Sequence, residues 1–195
     1  ETAGIVYDEL EASEAVRWEW LLHSPTEFKI DAVKKTLSTD NKTKGWVAVT
    51  QLFGGHVFTL SQTDRFVVPP AITGAEYPNQ WHLTARVDGC SATRFLAIIQ
   101  IGDEAVSIIN RDGDTFNVGD WTIKAVLDAS KAPELTVSHR TEQAVFSYGT
   151  DNPALNGNFY SRQYTGSSLL YDEIDGAYQA VSYTHLRAHE TVLDL

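Results

Sequence analysis

Two histidines close to the end of the chain have a spacing that can bind metal. His185 and His189 are followed by Glu190, and imidazoles four residues apart on a helix share a face and can chelate zinc. The glutamate, however, does not lie between the histidines, where a metalloprotease holds its general base. The stretch 181–195 also reads like translated adaptor sequence. We therefore expect no metal site there and treat 181–195 as a non-native tail.

Three other residues are candidates for binding a substrate: His23, Trp81 and His82. His23 ends an aromatic strand just before Ser24-Pro25, where it could act as a general base or a substrate contact. We favour a structural histidine bonded to the backbone, because no second ionisable group is paired with it locally. Strand alternation puts His82 on the opposite face from Trp81. That face is either solvated or part of a sugar-facing surface, and the sequence leaves both open.

Aromatic and acidic residues elsewhere have simpler interpretations. Exposed indoles can stack on sugar rings, but most of the five tryptophans fall in strands with clear alternation, which favours a place in the core. Asp103-Glu104 and Asp112-x-Asp114 lack the further oxygen ligands of a calcium loop and predict turns. The acid-rich stretch 8–14 is interpreted as a solvated loop. No nucleophile elbow, phosphate loop or dinucleotide fingerprint is present, so we assign no catalytic residue.

The elements that must position these residues are strands, because the dominant hydrophobic period is two. In 16–22, four large apolar side chains share one face, while Arg17 and Glu19 lie on the other. Similar β-rich runs recur at 45–52, 56–61, 80–87, 93–101, 105–110, 120–127 and 143–148. Turn signals separate them at 38–41, 54–55, 111–114 and 156–158. Many short strands without a long helical stretch predict an all-β fold, an antiparallel β-sandwich over 1–180.

Length, charge and cysteine content narrow the class of protein. The chain has 195 residues, enough for one domain with a sizeable core. Its formal net charge of -11 repels phosphate backbones, so we expect no nucleic-acid partner. No run approaches the roughly 20 apolar residues that span a bilayer, so we expect no membrane partner. Cys90 is the single cysteine, which excludes an internal disulfide. The chain starts at Glu1 and has no methionine, which we interpret as a piece of a longer translation product.

Two consecutive segments near the start of the chain have a recognisable pattern. They read Ile5-Val6-Tyr7-Asp8-Glu9-Leu10-Glu11-Ala12 and Arg17-Trp18-Glu19-Trp20-Leu21-Leu22-His23-Ser24. The pattern resembles the late part of the heparinase II/III-like polysaccharide lyases, where a strand ending V-x-D-x-L precedes a strand ending LLH. Residues 60–66, 79–85 and 93–100 are similar to the same region. The resemblance runs from residue 4 to about residue 100 and rests on structural rather than catalytic motifs.

The resemblance implies a fold and an activity for a parent protein. Such lyases join an N-terminal α/α toroid to a large antiparallel β-sandwich, and they cleave uronic-acid-containing polysaccharides by β-elimination. This chain would then be the C-terminal β-sandwich portion of a periplasmic or secreted bacterial lyase acting on heparin, heparan sulfate or alginate. The family's tyrosine and histidine acid/base groups come from the toroid. A further histidine and the zinc ligands precede the matched region.

It follows that the parent protein would bind the polysaccharide substrate and could hold zinc, while this chain would contain no cofactor. Without the toroid domain, we expect the chain to have no lyase activity by itself.

Two other functions are open. One is a stand-alone carbohydrate-binding module that works through exposed tryptophans, and the other is a structural β-sandwich domain without sugar affinity. A line of exposed indoles at sugar-ring spacing would favour the module. A large apolar patch on one sheet face, left by a missing partner domain, would favour the lyase portion.

Overall fold

The computed structural model describes residues 2–41, 46–65, 80–102, 109–140, 145–149, 154–155, 158–159, 168–174 and 177–181. The strands are β1 (Thr2–Ser24), β2 (Lys29–Asp31), β3 (Thr36–Asn41), β4 (Trp46–Gly54), β5 (Thr59–Thr63), β6 (Trp81–Gly102), β7 (Asn110–Asp112), β8 (Thr115–Val118), β9 (Trp121–Ala125), β10 (Leu135–His139), β11 (Val145–Tyr148), β12 (Ala154–Leu155), β13 (Asn158–Phe159), β14 (Ser168–Ile174) and β15 (Ala177–Val181). The described residues form no helix, and hence none that is long and apolar enough to cross a membrane.

Two compact units contain these strands. The first comprises residues 1–108 and 127–131, and the second comprises residues 109–126 and 132–195. The sheet of the first unit has the order β1-β6-β4-β3-β2, with β5 also pairing with β6. The second unit has a sheet in the order β15-β14-β11-β10-β9-β8-β7 and a separate pair, β12-β13. Every pairing in the described part is antiparallel. The predicted all-β, antiparallel fold is confirmed.

The long strands β1 and β6 pair along their length but are interrupted by a bulge in β1. Glu11 pairs with Ala92, whereas the next pair along the strands is Val16 with Cys90. Residues 12–15 of β1 therefore lie opposite a single residue of β6, Ser91. Extra residues on one strand of a pair bend that strand and increase its twist. The bulge at 12–15 consequently marks a bend in the sheet.

A second irregularity follows at once on the partner strand. Arg17 pairs with Asp88, directly after the pair that joins Val16 to Cys90. Gly89 is therefore the extra residue on β6. Its φ is +74°, a left-handed conformation that glycine adopts without the clash of a Cβ atom. Both strands thus carry an irregularity at the same level of the sheet, and both bend there.

The bend divides the sheet of the first unit into two arms. The first arm contains 16–24 of β1, 81–88 of β6, and β5; the second contains 2–11 of β1, 92–102 of β6, and β4, β3 and β2. Side chains of both arms meet in one buried cluster: Trp20, Phe28, Leu37, Leu52, Phe58, Leu83, Ala85, Val87, Phe95 and Ala97. The sheet therefore folds back over its own bend. Removing these apolar surfaces from water is the main force that holds it closed.

Polar contacts also join the two arms. The indole Nε1 of Trp20, in the first arm, donates a hydrogen bond of 2.9 Å to Oδ2 of Asp8, in the second. The side-chain amide of Gln62 in β5 accepts from the backbone nitrogen of Phe28 at 3.1 Å and donates to its carbonyl at 3.0 Å. These bonds satisfy polar groups at the margin of the core, which would otherwise cost free energy on burial.

The predicted alternation in the aromatic strand is confirmed. Trp20 is buried and Trp18 is half-buried against the core, whereas Arg17 and Glu19 are exposed. The predicted solvated loop at 8–14 is wrong, because these residues belong to β1. Residues 8–11 pair with β6, where the carboxylate of Glu9 lies 3.3 Å from Arg94, and residues 12–14 continue β1 as part of its bulge.

Other strand boundaries also differ from the sequence analysis. The runs at 80–87 and 93–101 join into the single strand β6 because the bulge bends the strand without ending it. The polar residues 38–41, predicted as a turn, continue β3, since β4 pairs with them along their length. Most of the run predicted at 105–110 and the tail beyond residue 181 lie outside the described residues.

The second unit has its own buried side chains along a meander of short strands. The apolar ones described are Phe116, Val118, Ile123, Ala125, Val126, Leu135 and Val137. Asp112 and Asp114 flank Gly113 at the turn between β7 and β8, so their predicted role as turn residues is confirmed.

Candidate functional site

A cleft of about 740 Å³ opens at the bend of β1 and β6. Its walls are the bulge of β1, the irregular part of β6, the connection from β4 to β5, and the segment that follows β9. The lining residues are Ser13, Glu14, Ala15, Gly55, His56, Gly89, Cys90, Ser91, Ala92, Asp128, Ala129 and Ser130. All of them belong to the first unit. The volume falls in the range of sites that bind small molecules.

A buried arginine holds one wall of the cleft in place. Arg94 lies on β6 and is 5% exposed. Its Nη1 and Nη2 atoms donate hydrogen bonds of 2.8 Å to the carbonyls of Asp128 and Lys131, and its Nε lies 3.3 Å from a carboxylate oxygen of Glu9. A guanidinium is well suited to this task because its donors point in fixed directions. The segment 128–131 is thereby attached to the central strand of the sheet.

A close backbone approach holds the opposite wall. The nitrogen of Gly55 donates a 3.0 Å hydrogen bond to the carbonyl of Arg94. A Cβ atom on Gly55 would stand 2.1 Å from the carbonyl oxygen of Leu127, far inside van der Waals contact. Only glycine fits between these two backbone segments. The turn at 54–56 therefore keeps His56 at the rim of the cleft.

The side chains in the cleft combine hydroxyls, carboxylates, an imidazole and a thiol. Hydroxyls come from Ser13, Ser91 and Ser130, and carboxylates come from Glu14 and Asp128. Except for the half-buried Cys90, the chemically active side chains of this lining are exposed. Such groups both donate and accept hydrogen bonds, which is the pattern needed to bind a ligand rich in hydroxyl groups.

Asp128 is held in its charged form. The hydroxyl of Ser130 donates to its Oδ1 at 2.6 Å, and the backbone nitrogen of Ser130 donates to the same oxygen at 3.0 Å. The hydroxyl contact, followed by the backbone contact, lowers the pKa of Asp128 below its ordinary value. Hydrogen bonds to the ionised form favour that form. The carboxylate is thus a fixed acceptor at neutral pH.

His56 and Cys90 are oriented by neighbours on β1 and β6. Nδ1 of His56 lies 3.2 Å from the hydroxyl of Thr93, which is fully buried. The carbonyl of Cys90 accepts a 3.0 Å hydrogen bond from the indole of Trp18. These contacts leave Nε2 of His56 as the ring atom that can reach a ligand in the cleft.

The described lining of the cleft has an imidazole and carboxylates but no lysine or arginine, the cations that would neutralise a uronate carboxylate in β-elimination. That reaction requires a base, an acid for the leaving oxygen and a positive group that neutralises the carboxylate. Among the described residues, the lining contains no tyrosine, lysine or arginine. No cluster of three or more histidine, cysteine, aspartate or glutamate side chains suited to a metal ion occurs in the described part of the chain.

The three sugar-binding residues predicted from the sequence lie away from this cleft and on two different faces. His23 and His82 are directly paired across β1 and β6, with ring centroids 4.5 Å apart. Trp81 packs against the core, on the opposite face of the sheet. The structure therefore brings the two histidines together and separates them from the tryptophan, as alternation predicted. Contact of any of the three with a sugar stays a prediction.

Sequence reasoning missed the cleft. The available signal was a set of small polar and glycine residues that interrupt apolar runs, at 13–15, 54–56 and 89–92. Glycine inside a strand pattern often marks a bulge or a close backbone approach, and both occur here. Assigning a common site to these segments required the pairing of β1 with β6, which sequence spacing does not give.

The described tryptophans form no exposed platform. Trp20 is buried, and Trp18, Trp81 and Trp121 are half-buried; the side chain of Trp46 lies outside the described residues. The tail histidines at 185 and 189 also lie outside them.

Comparison with known proteins found no match, either to a family model or to a curated protein.

Proposed function

We propose that this chain is the β-sandwich portion of a lyase acting on uronic-acid-containing polysaccharides of the heparin, heparan sulfate or alginate type. In this role it supplies substrate contacts and no catalytic group. The supporting observation is the polar cleft at the bend of β1 and β6, together with the resemblance of residues 4–100 to heparinase II/III-like lyases. On this proposal the parent protein is periplasmic or secreted, and an α/α toroid carries the acid/base chemistry.

The lining of the cleft indicates which part of a sugar it would contact. Asp128 and Glu14 repel a uronate carboxylate but accept hydrogen bonds from sugar hydroxyls. The seryl hydroxyls beside them donate to ring and hydroxyl oxygens. The cleft would therefore hold the hydroxyl edge of a sugar unit, with the uronate carboxylate turned toward solvent or toward another domain.

A stand-alone binding module that uses an aromatic platform is less well supported. It needs exposed indoles, and the four tryptophans whose side chains are described are buried or half-buried. Stacking would thus require core residues to leave the core. Hydrogen bonding in the cleft does not carry this cost.

Binding of a polyanion to this chain should have an unusual salt dependence. The formal net charge is -11, and two of the carboxylates counted in it, those of Glu14 and Asp128, line the cleft. Added salt screens this repulsion, since the Debye length falls from about 30 Å at 0.01 M to about 10 Å at 0.1 M. Affinity should rise with salt, whereas binding through lysines and arginines would fall.

The test is calorimetric titration of alginate and heparin oligosaccharides into the chain and its variants. We expect Ser130→Ala to weaken binding roughly fivefold, because a lost hydrogen bond costs about 1 kcal/mol. Ser61→Ala is the matched control, since Ser61 is an exposed serine on the outer face of β5. It should bind like the unmodified chain.

A parallel assay follows absorbance of the unsaturated uronate product. We expect no turnover of heparin, heparan sulfate or alginate by the chain alone. Turnover above background would show that the chain carries catalytic groups after all. If neither alginate nor heparin oligosaccharides bind in the calorimetric titration, the chain does not contact the substrate as proposed.

A further inference from the structure

The outer face of the first arm carries two histidines side by side. His23 of β1 pairs directly with His82 of β6. The centroids of their rings lie 4.5 Å apart, and the ring planes are inclined at 67°. His23 is exposed and His82 is half-buried, and Nε2 of His82 is shielded from solvent, so a solute reaches the pair from the side of His23. Neither residue belongs to the cleft.

We propose that this histidine pair binds a divalent transition-metal ion, with Zn²⁺ as its simplest occupant. Imidazole nitrogen is a preferred ligand of zinc, copper and nickel. Two nitrogens at about 2.0–2.1 Å from one zinc ion in tetrahedral geometry lie roughly 3.3 Å apart. Two rings that already touch reach this spacing by rotation of their side-chain torsions. Residues directly opposite on neighbouring strands need no backbone movement to do so.

The surroundings fit an exchangeable ion. His82 also pairs with Thr63 of β5, which places an exposed hydroxyl-bearing residue on the third strand of the same face. The net charge of -11 attracts cations to the molecule. Because no larger cluster of metal-binding side chains occurs among the described residues, water would complete the coordination. The ion would join β1 to β6 and stabilise the first arm.

The second unit offers a matched control. His139 of β10 pairs with Trp121 of β9, and their ring centroids are also 4.5 Å apart at an angle of 67°. This contact has the same geometry as the histidine pair but only one imidazole. Removing His139 therefore changes the number of histidines without removing a chelating pair.

The experiment measures Zn²⁺ binding by calorimetry in a chain that carries His185→Ala and His189→Ala, which removes the tail histidines. We expect one zinc ion per chain. His23→Gln and His82→Gln should each weaken binding about tenfold or more, the scale seen when a metal site loses a supporting group. His139→Gln should leave binding unchanged. Zinc should also raise the midpoint of urea unfolding in the parent variant and not in His23→Gln, because it binds only the folded state.

Three results would overturn the proposal: no zinc binding once the tail histidines are gone, binding that survives both glutamine substitutions, or an equal loss in His139→Gln. Circular dichroism checks the fold of each variant. His23 is exposed, so His23→Gln decides the question if His82→Gln does not fold. No polysaccharide enters this test, and its outcome is independent of the proposed function.

Discussion

Strand β6 passes through two different environments. In 82–88, Leu83, Ala85 and Val87 are buried while the residues between them are half-buried or exposed. In 93–98, every residue is buried. The first stretch therefore has one covered face, and the second is covered on both faces. The strand thus has a solvent-facing side along 82–88 and is buried on both sides along 93–98. The cleft lies between these two stretches.

Two arginines make the contrast concrete. Arg86 lies in the first stretch and pairs with Asp88 at 2.8 Å, with side chains that are 41% and 56% exposed. Arg94 lies in the second stretch, is 5% exposed and bonds two backbone carbonyls. Exposed ion pairs contribute little to stability, whereas a buried charge that loses its partners is costly. Arg86 should therefore contribute little to the stability of the first arm, whereas Arg94 attaches the segment 128–131 to the second arm.

The largest expected effect tests whether the first arm has one covered face. Trp20→Ala should lower the free energy of unfolding by about 3–5 kcal/mol, because it empties a buried aromatic site and leaves Asp8 without its indole donor. Leu21, the next residue on the strand, is 53% exposed, so Leu21→Ala should change stability by less than about 0.5 kcal/mol. Equilibrium urea unfolding measures both. Similar losses in the two variants would break the distinction between the faces.

The second prediction compares the arginines. Arg94→Ala should cost about 1–3 kcal/mol, since it leaves the carbonyls of Asp128 and Lys131 without their charged donor. Arg86→Ala should cost about 0–1 kcal/mol. Urea unfolding is again the measurement, and Arg94→Lys tests whether the fixed fork of donors matters. If lysine restores full stability at position 94, a single charge rather than the bidentate geometry holds the segment 128–131.

Much of this contrast could be predicted from the sequence, and part of it could not. The alternation in 82–88 and the apolar run Phe95-Leu96-Ala97-Ile98 are visible in the residues, as is the inward face of Trp18 and Trp20. The role of Arg94 is invisible there, because its partners lie 34 and 37 residues away. The same holds for the acidic stretch in β1, which was predicted as a loop. Its composition is that of a loop, but pairing with β6 decides its structure.

The third prediction concerns the wall of the cleft. Gly55→Ala should cost about 1–3 kcal/mol, the usual cost of forcing extra volume into a filled space, because the new methyl group would overlap the carbonyl of Leu127. Gly4→Ala is the control, since a Cβ atom there meets its nearest neighbour at 3.9 Å. It should change stability by less than about 0.5 kcal/mol. Urea unfolding of both variants compares the two sites, and a neutral Gly55→Ala would mean that the two segments are not closely apposed.

The smallest expected effect distinguishes two aspartates by the cause of their lowered pKa. In Asp88 the lowering comes first from the hydrogen bond of Arg86 and then from nearby positive charge; in Asp128 it comes first from Ser130. Salt should therefore raise the pKa of Asp88 toward its ordinary value more than that of Asp128. Ser130→Ala should raise only the pKa of Asp128. Carbon-13 NMR of the carboxyl groups measures both.

The sign of the pH dependence follows from these directions. Both carboxyls have a lower pKa in the folded chain, so each contributes stability above its unfolded pKa. That contribution is lost as pH falls through the folded value. Asp128→Asn should therefore flatten the loss of stability in the acid range, which pH-dependent urea unfolding measures. If Asp128→Asn loses as much unfolding free energy in acid as the unmodified chain does, groups other than Asp128 cause the acid sensitivity.

The most direct test of the account is to map where an alginate or heparin oligosaccharide binds. Titration of the isotope-labelled chain, followed by amide chemical shifts, reports every contact surface at once. The account predicts shifts concentrated at 13–15, 55–56, 89–92 and 128–130, the residues that line the cleft. Shifts confined to the outer face of the first arm, or none at saturating ligand, would contradict it.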